Sequence, residues 1–226
     1  MTIPTVPAGE FLAGWAPIQG EHCTIIGPTG SGKTRLAGHL LAGYPYTVQV
    51  VTKPTGRDRS VVTAGAQVID HWPPKEPGNR IVLWPKWRSP GDVKGQGAKI
   101  HTALDAIFSE GGWAILVDDA MYVTAGPGGS SAELDLIWYH GRSCGLSLLS
   151  VWPRPRWAPR LAYSAATHLF VFGTRDEDDA KALGQISGAG RVAPFAATVQ
   201  TLARYECVYV NTRTGAVVRL ALANQL

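Results

Sequence analysis

Short apolar runs alternate with amphipathic segments along most of the chain. Residues 22–27 (His-Cys-Thr-Ile-Ile-Gly), 46–52, 80–84, 113–118, 146–152 and 167–173 are rich in β-branched and other apolar residues, and each predicts a strand. The run 113–118 (Trp-Ala-Ile-Leu-Val-Asp) has no polar position before its final aspartate, the pattern of a strand in a parallel sheet covered on both faces. Between these runs, residues 32–42, 98–110, about 132–142 and 176–184 read as helices. In 98–110, Ile100, Leu104 and Ile107 or Phe108 share one face. In 176–184, acids fill the first turn and Gly184 provides a stop. The stretch 53–79, interrupted by Pro73-Pro74 and Pro77-Gly78, predicts loops around a short apolar piece near 66–69. Gly91, Gly95 and Gly97 predict a loose connection, and Thr124 to Ser131 a small-residue loop. Residues 205–210 and 216–221 alternate in polarity around Asn211-Thr-Arg-Thr-Gly215, a hairpin signal. The fold class is therefore α/β: a mostly parallel sheet flanked by helices, ending in a C-terminal antiparallel β-hairpin.

At 226 residues the chain suits one domain with a small appendage. A composition of 45% hydrophobic and 17% charged residues excludes wholesale disorder. Cys23, Cys144 and Cys207 are far apart and lack metal spacing, which points to a reduced, intracellular setting. No apolar run approaches about 18 residues, so direct membrane insertion is not expected. The N-terminus lacks the basic start and apolar core of a signal peptide. A net charge of +4 permits a nucleic-acid partner without requiring one.

Chemistry enters with Gly27-Pro28-Thr29-Gly30-Ser31-Gly32-Lys33-Thr34, which fits G-x-x-x-x-G-K-[ST] at every fixed position. With this chain's glycine, lysine, serine and threonine frequencies, chance supplies roughly 0.01 such matches. Glycines let successive backbone N–H groups converge on phosphate oxygens, and the following helix offers its positive end to the same anion. Lys33 is placed to reach the β and γ phosphates of ATP, and the Thr34 hydroxyl to hold Mg²⁺. The strand 113–118 ends in Asp118-Asp119. Asp118 is placed to hold the Mg²⁺ water shell beside Thr34, and Asp119 to polarise the attacking water. The six histidines show no ligand spacing, so no further metal is expected.

The downstream run His140-Gly141-Arg142-Ser143-Cys144-Gly145, an apolar strand, then Pro153-Arg154-Pro155 resembles the FtsK–HerA superfamily of DNA-translocating ATPases. That family carries an arginine three residues before a glycine, a strand, then Gln-Arg-Pro. Arg154 and Pro155 match, whereas Pro153 stands where the family has its γ-phosphate-sensing glutamine, and Ser150 is the nearest hydroxyl to substitute. The strand at 167–172 followed by the acidic helix start at 176 also resembles the family. Its size is similar to that of the small genome-packaging ATPases of tectiviruses and related phages. The resemblance implies a P-loop NTPase fold of the RecA-like, additional-strand class over 1–195, with the hairpin 196–226 as an extension of the same domain and no room for a nuclease domain. It also implies a homo-oligomeric ring, pentameric or hexameric, that moves double-stranded DNA. Arg142 would reach into a neighbour's site, with Arg154, Arg156 and Arg160 as rivals. A portal or capsid-vertex protein would be the partner, and the setting the host cytoplasm or the virion.

DNA contacts are expected on basic loops at strand ends: Lys53, Arg57 and Arg59 after the second strand, and Lys86, Arg88, Lys94 and Lys99 near Trp84 and Trp87. The loop Gly126-Pro127-Gly128-Gly129 is a candidate to couple nucleotide state to movement. Trp87 and Trp157 lie in loops where they can stack or fill an interface. Two other readings share the phosphate loop: a nucleotide or small-molecule kinase, with 153–160 as an arginine-rich lid, and a secretion or assembly ATPase.

Overall fold

Strands apolar on both sides require cover on both sides, and the chain supplies it. The computed structural model describes residues 3–54, 65–126, 131–186 and 192–222. Ten strands form one sheet among these residues: β1 (Thr5–Pro7), β2 (His22–Ile26), β3 (Thr47–Val50), β4 (Gln67–Ile69), β5 (Arg80–Leu83), β6 (Ala114–Val117), β7 (Ser147–Trp152), β8 (Ala166–Phe172), β9 (Glu206–Asn211) and β10 (Val217–Ala221). Eight α-helices accompany them: α1 (Ala8–Ala13), α2 (Lys33–Ala42), α3 (Val93–Glu110), α4 (Ala120–Ala125), α5 (Ser131–His140), α6 (Arg160–Ser164), α7 (Glu177–Ile186) and α8 (Val192–Thr201). The strand order is β1-β10-β9-β8-β2-β7-β6-β3-β5-β4. From β8 to β4 all pairs are parallel. The hairpin β9–β10 joins antiparallel to β8, and β1 closes that edge parallel to β10.

Alternate residues of the central strands feed two cores. Ile26, Leu148, Trp152 and Val171 pack with Ile100 and Leu104 of α3, Ile137 of α5 and Val199 of α8. Cys23, Ile25, Leu149, Val151 and Phe170 face the other way, onto Leu36 and Leu40 of α2. Each large apolar side chain fully buried in this way contributes about 1.5–3 kcal/mol.

Local structure departs from expectation in four places. The helix expected from residue 98 starts at Val93, because Ser89 and Asp92 form a reciprocal capping box around Pro90 and launch it earlier; Gly95 and Gly97 lie inside it. Part of the small-residue loop is helical, as α4, with Asp119 as its N-cap. The apolar piece near 66–69 is the edge strand β4. The elements β1, α1, α6 and α8 were not expected at all.

His22, at the start of β2, is buried, and its Nδ1 accepts from the Leu148 N–H at 3.0 Å. Burial lowers its pKa to about 4, partly opposed by the Trp138 carbonyl. A depressed imidazole pKa favours the neutral form in the folded chain. Its full contribution to stability is therefore present above the unfolded value of about 6.5 and is lost as pH falls towards 4. Between pH 7 and pH 4 the unfolding free energy of the wild type should drop by about 3 kcal/mol more than that of His22→Asn. Denaturant titrations of both at the two pH values test this, and an equal drop in unfolding free energy for the two proteins would refute it.

Candidate nucleotide-binding site

The phosphate loop leaves the C-terminal end of β2 and runs into α2. Its first residue is tied across the sheet, because the Gly27 N–H donates to the Trp152 carbonyl at the end of β7 (3.1 Å). A Cβ at Gly27 would lie 2.5 Å from Cβ of Phe172, so only glycine lets the loop turn against β8. Gly32, the N-cap of α2, has φ +102°, a left-handed conformation that glycine adopts without strain. The loop thereby opens the positive end of a ten-residue helix towards a cleft of about 1170 Å³.

Lys33 and Thr34 begin α2 and line this cleft. The Lys33 ammonium donates to the Pro28 carbonyl at 2.8 Å. Burial lowers its pKa, and the nearby Asp118 carboxylate partly offsets this. Asp118 follows β6, two strands from the loop. Burial raises its pKa; a hydrogen bond from the Thr34 hydroxyl and the charges of Lys53 and Lys33 oppose the rise, while Asp119 adds to it. Asp119 lines the same cleft, and its Oδ1 also caps α4 by accepting from the Tyr122 N–H at 3.2 Å.

Two buried polar atoms here have no hydrogen-bond partner among the described residues: Asp118 Oδ1 and Ser31 Oγ. Leaving such groups unpaired is costly. An acceptor beside the Thr34 hydroxyl suits a hydrated Mg²⁺, and a hydroxyl within the loop suits a phosphate oxygen. The residues present therefore fit Mg·ATP.

The remaining expected residues separate in space. Arg142 is exposed in a short 3-10 turn, Gly141–Cys144, just before β7. The loop lies at the other end of that strand, so six residues, or about 20 Å, separate Arg142 from its own phosphate loop. Arg154 pairs with Asp179 at 2.9 Å and with Asp176, and its guanidinium lies over the Trp157 ring. It fastens the end of β7 to the start of α7. Arg156 and Arg160 are exposed in the same region. Ser150 does not replace the missing glutamine: it is buried inside β7, accepting from the Trp152 indole and touching Thr24 beneath α6. Side-chain alternation turns it into the core.

Of the expected DNA-contacting residues, Lys53 lines the nucleotide cleft. Lys86 and Arg88 are exposed beyond β5. Arg57 and Arg59 lie outside the described residues, as does the glycine loop beyond Gly126. Trp84 and Trp87 brace the backbone after β3, their indole N–H groups donating to the carbonyls of Lys53 and Thr52, both at 2.7 Å. Buried Gln96 donates to that same Thr52 carbonyl and accepts from the Tyr122 hydroxyl. Sequence reasoning passed over Arg204 and Tyr205, which overhang the phosphate loop from the turn before β9. Only the positive φ of Tyr205 distinguishes them, and no sequence signal announces it.

A phosphate loop on one strand, an acidic pair ending another and an additional strand between the two define a P-loop NTPase fold of the additional-strand class. Solved structures share it. The genome packaging NTPase B204 of Sulfolobus turreted icosahedral virus 2, in complex with AMPPCP, superposes with a TM-score of 0.62 at 16% identity, covering 88% of this chain and 96% of that one. The bacterial conjugative coupling protein TrwB superposes at 0.63 with 10% identity, covering 97% and 93%. The pCW3 conjugation coupling protein TcpA, with ATPγS, does so at 0.56 with 10% identity, covering 92% and 61%. No family model and no curated sequence matches the chain. At these identities the likeness establishes the fold, which is the one that the FtsK–HerA resemblance implied. No helix among the described residues is long and apolar enough to cross a membrane.

Proposed function

We propose that the protein is an ATPase that moves double-stranded DNA, working as a homo-oligomeric ring in viral genome packaging. The observation that carries this reading is the position of β7. One end of the strand holds the phosphate loop through Trp152, and the other presents Arg142 to solvent, too far away to serve its own site. An arginine so placed suits a neighbour's nucleotide. The packaging and conjugation proteins that share the fold support a DNA substrate.

In this reading Gly27–Gly32 and Lys33 would hold the triphosphate, and Thr34 and Asp118 would hold Mg²⁺ and its water shell. The metal neutralises charge on the β and γ oxygens when bound. Asp119 orients the attacking water with the carboxylate oxygen that does not cap α4, and Arg142 of the adjacent subunit stabilises the transferring phosphoryl. Lys86 and Arg88 grip DNA phosphates, a contact that weakens as salt rises. The terminal hairpin serves as an extension of the ATPase domain, and a portal or vertex protein receives the ring.

The kinase reading needs an arginine lid free to close, and Arg154 is instead held by two carboxylates. The experiment is ATP hydrolysis with and without long duplex DNA. DNA should raise the rate several-fold, and added salt should remove the increment. No effect of DNA, combined with turnover of a small phosphate acceptor, would favour the kinase.

A further inference from the structure

The turn at Ala203–Glu206 sits over the phosphate loop and belongs to none of the sequence motifs that mark the site. It is closed by the Glu206 carboxylate, which accepts from the Ala203 N–H at 2.7 Å, and by the Glu206 N–H, which donates to the Ala203 carbonyl at 3.1 Å. The Tyr205 carbonyl accepts from the Leu222 N–H at 2.8 Å, anchoring the turn to the end of β10. Held in this way, Tyr205 adopts φ +65°, an unfavourable conformation for an aromatic residue. Its ring is laid on the loop: a Cβ at Gly32 would meet Tyr205 Cδ1 at 3.3 Å.

Arg204 completes the arrangement. Its guanidinium lies over the Tyr205 ring, 4.7 Å from the centroid, and its Nη2 is 4.0 Å from where a Cβ of Gly30 would stand. Among the described residues Arg204 has no carboxylate partner. The nearest acid in sequence, Glu206, is already bound by Arg219. Ser31, which lines the same cavity as Arg204, is only 8% exposed, and among the described residues its Oγ has no partner. A cation on an aromatic platform thus shares a cavity with a loop built from backbone donors and with the unpaired hydroxyl of that loop. A guanidinium satisfies phosphate oxygens through paired, charge-assisted hydrogen bonds.

We propose that Arg204 is a phosphate-binding residue of the chain's own nucleotide site, closing over the anion held by the loop, and that Tyr205 is the positioning residue that carries it there. The proposal rests on the reading of the loop as a nucleoside-triphosphate site and adds a cis cation to it. Tyr205 would thereby be the reason that a strained turn persists: the ring must lie on Gly32 for the guanidinium to reach over Gly30.

Calorimetric titration of the full chain with Mg·ATP and, separately, with inorganic tripolyphosphate tests this. Arg204→Ala should weaken both by about tenfold or more, the scale of one hydrogen bond to a charged group, and Arg204→Lys should recover part of the loss. Tyr205→Gly should melt no lower than wild type, since glycine accepts a positive φ, yet bind both ligands more weakly. Unchanged binding by Arg204→Ala overturns the proposal. Weakened ATP binding with unchanged tripolyphosphate binding also overturns it, because the guanidinium would then serve the base or ribose. Wild-type binding by Tyr205→Gly removes the positioning role. Failure of the wild type to bind either ligand defeats the nucleotide reading itself, a result distinct from the others.

Discussion

Lys33→Ala should lower Mg·ATP turnover by about 10²–10³-fold while leaving the protein at least as resistant to thermal unfolding as the wild type. The first half follows from position. Lys33 is the first residue of α2, beside Asp118, in a cleft whose backbone donors are neutral dipoles. Removing one preorganised donor to a developing phosphoryl charge has an effect of this size in other enzymes. The second half follows from the sign of its pKa shift. Burial lowers the ammonium pKa, so the charged form is less favoured in the folded chain than in the unfolded one. Below the folded pKa that bias costs folding free energy, and alanine relieves it. Phosphate release together with a melting curve checks both halves. Turnover retained in a well-folded variant would sink the phosphate-loop assignment, whereas lost turnover with a collapsed melting temperature would show that Lys33 holds the loop together.

Arg142→Ala should act differently. By itself it should reduce hydrolysis by about 10³–10⁵-fold, the scale of a trans-acting arginine, while binding ATP with wild-type affinity, because the side chain sits at the far end of β7 from its own loop. Mixed with wild type, it should depress DNA-stimulated hydrolysis by more than its share of the subunits. A strictly proportional loss in the mixture, or weakened ATP binding by the variant alone, would refute the trans role. On the proposed reading the two variants should fail by distinguishable routes, one in its own site and the other in its neighbour's.

Strong local signals carried most of the fold and the centre of the site into the sequence. The run 113–118 could only be a strand covered on both faces, and β6 lies in the interior of the sheet, as that pattern requires. The fixed positions of 27–34 specify a strand, a turn and a helix start, all of which are present. Elements that owe their form to tertiary contacts were not legible. The strand β1 has three residues, follows Pro4, ends in Pro7, and is ordered by β10. The helix α8 carries Phe195, Val199 and Thr198, weak helix formers that packing against α7 sustains. Glycines hid the start of α3, where a capping box outweighed them. The site's second half was hidden for the same reason: Arg204 and Tyr205 come roughly 170 residues after the loop that they cover, and only the closing of the sheet at β9 brings them there.

The placement of β7 also makes its length a gauge. Trp152, the last of the six residues of β7, anchors Gly27 at one end, and the turn containing Arg142 closes the other. Adding or removing a single residue would slide one end by about 3.3 Å, more than a hydrogen bond tolerates. It would also exchange the two faces of the strand, sending Trp152 and Leu148 towards α2 and Val151 towards α5. Insertions are therefore not tolerable within β7, whose residue count fixes the spacing between the phosphate loop and Arg142.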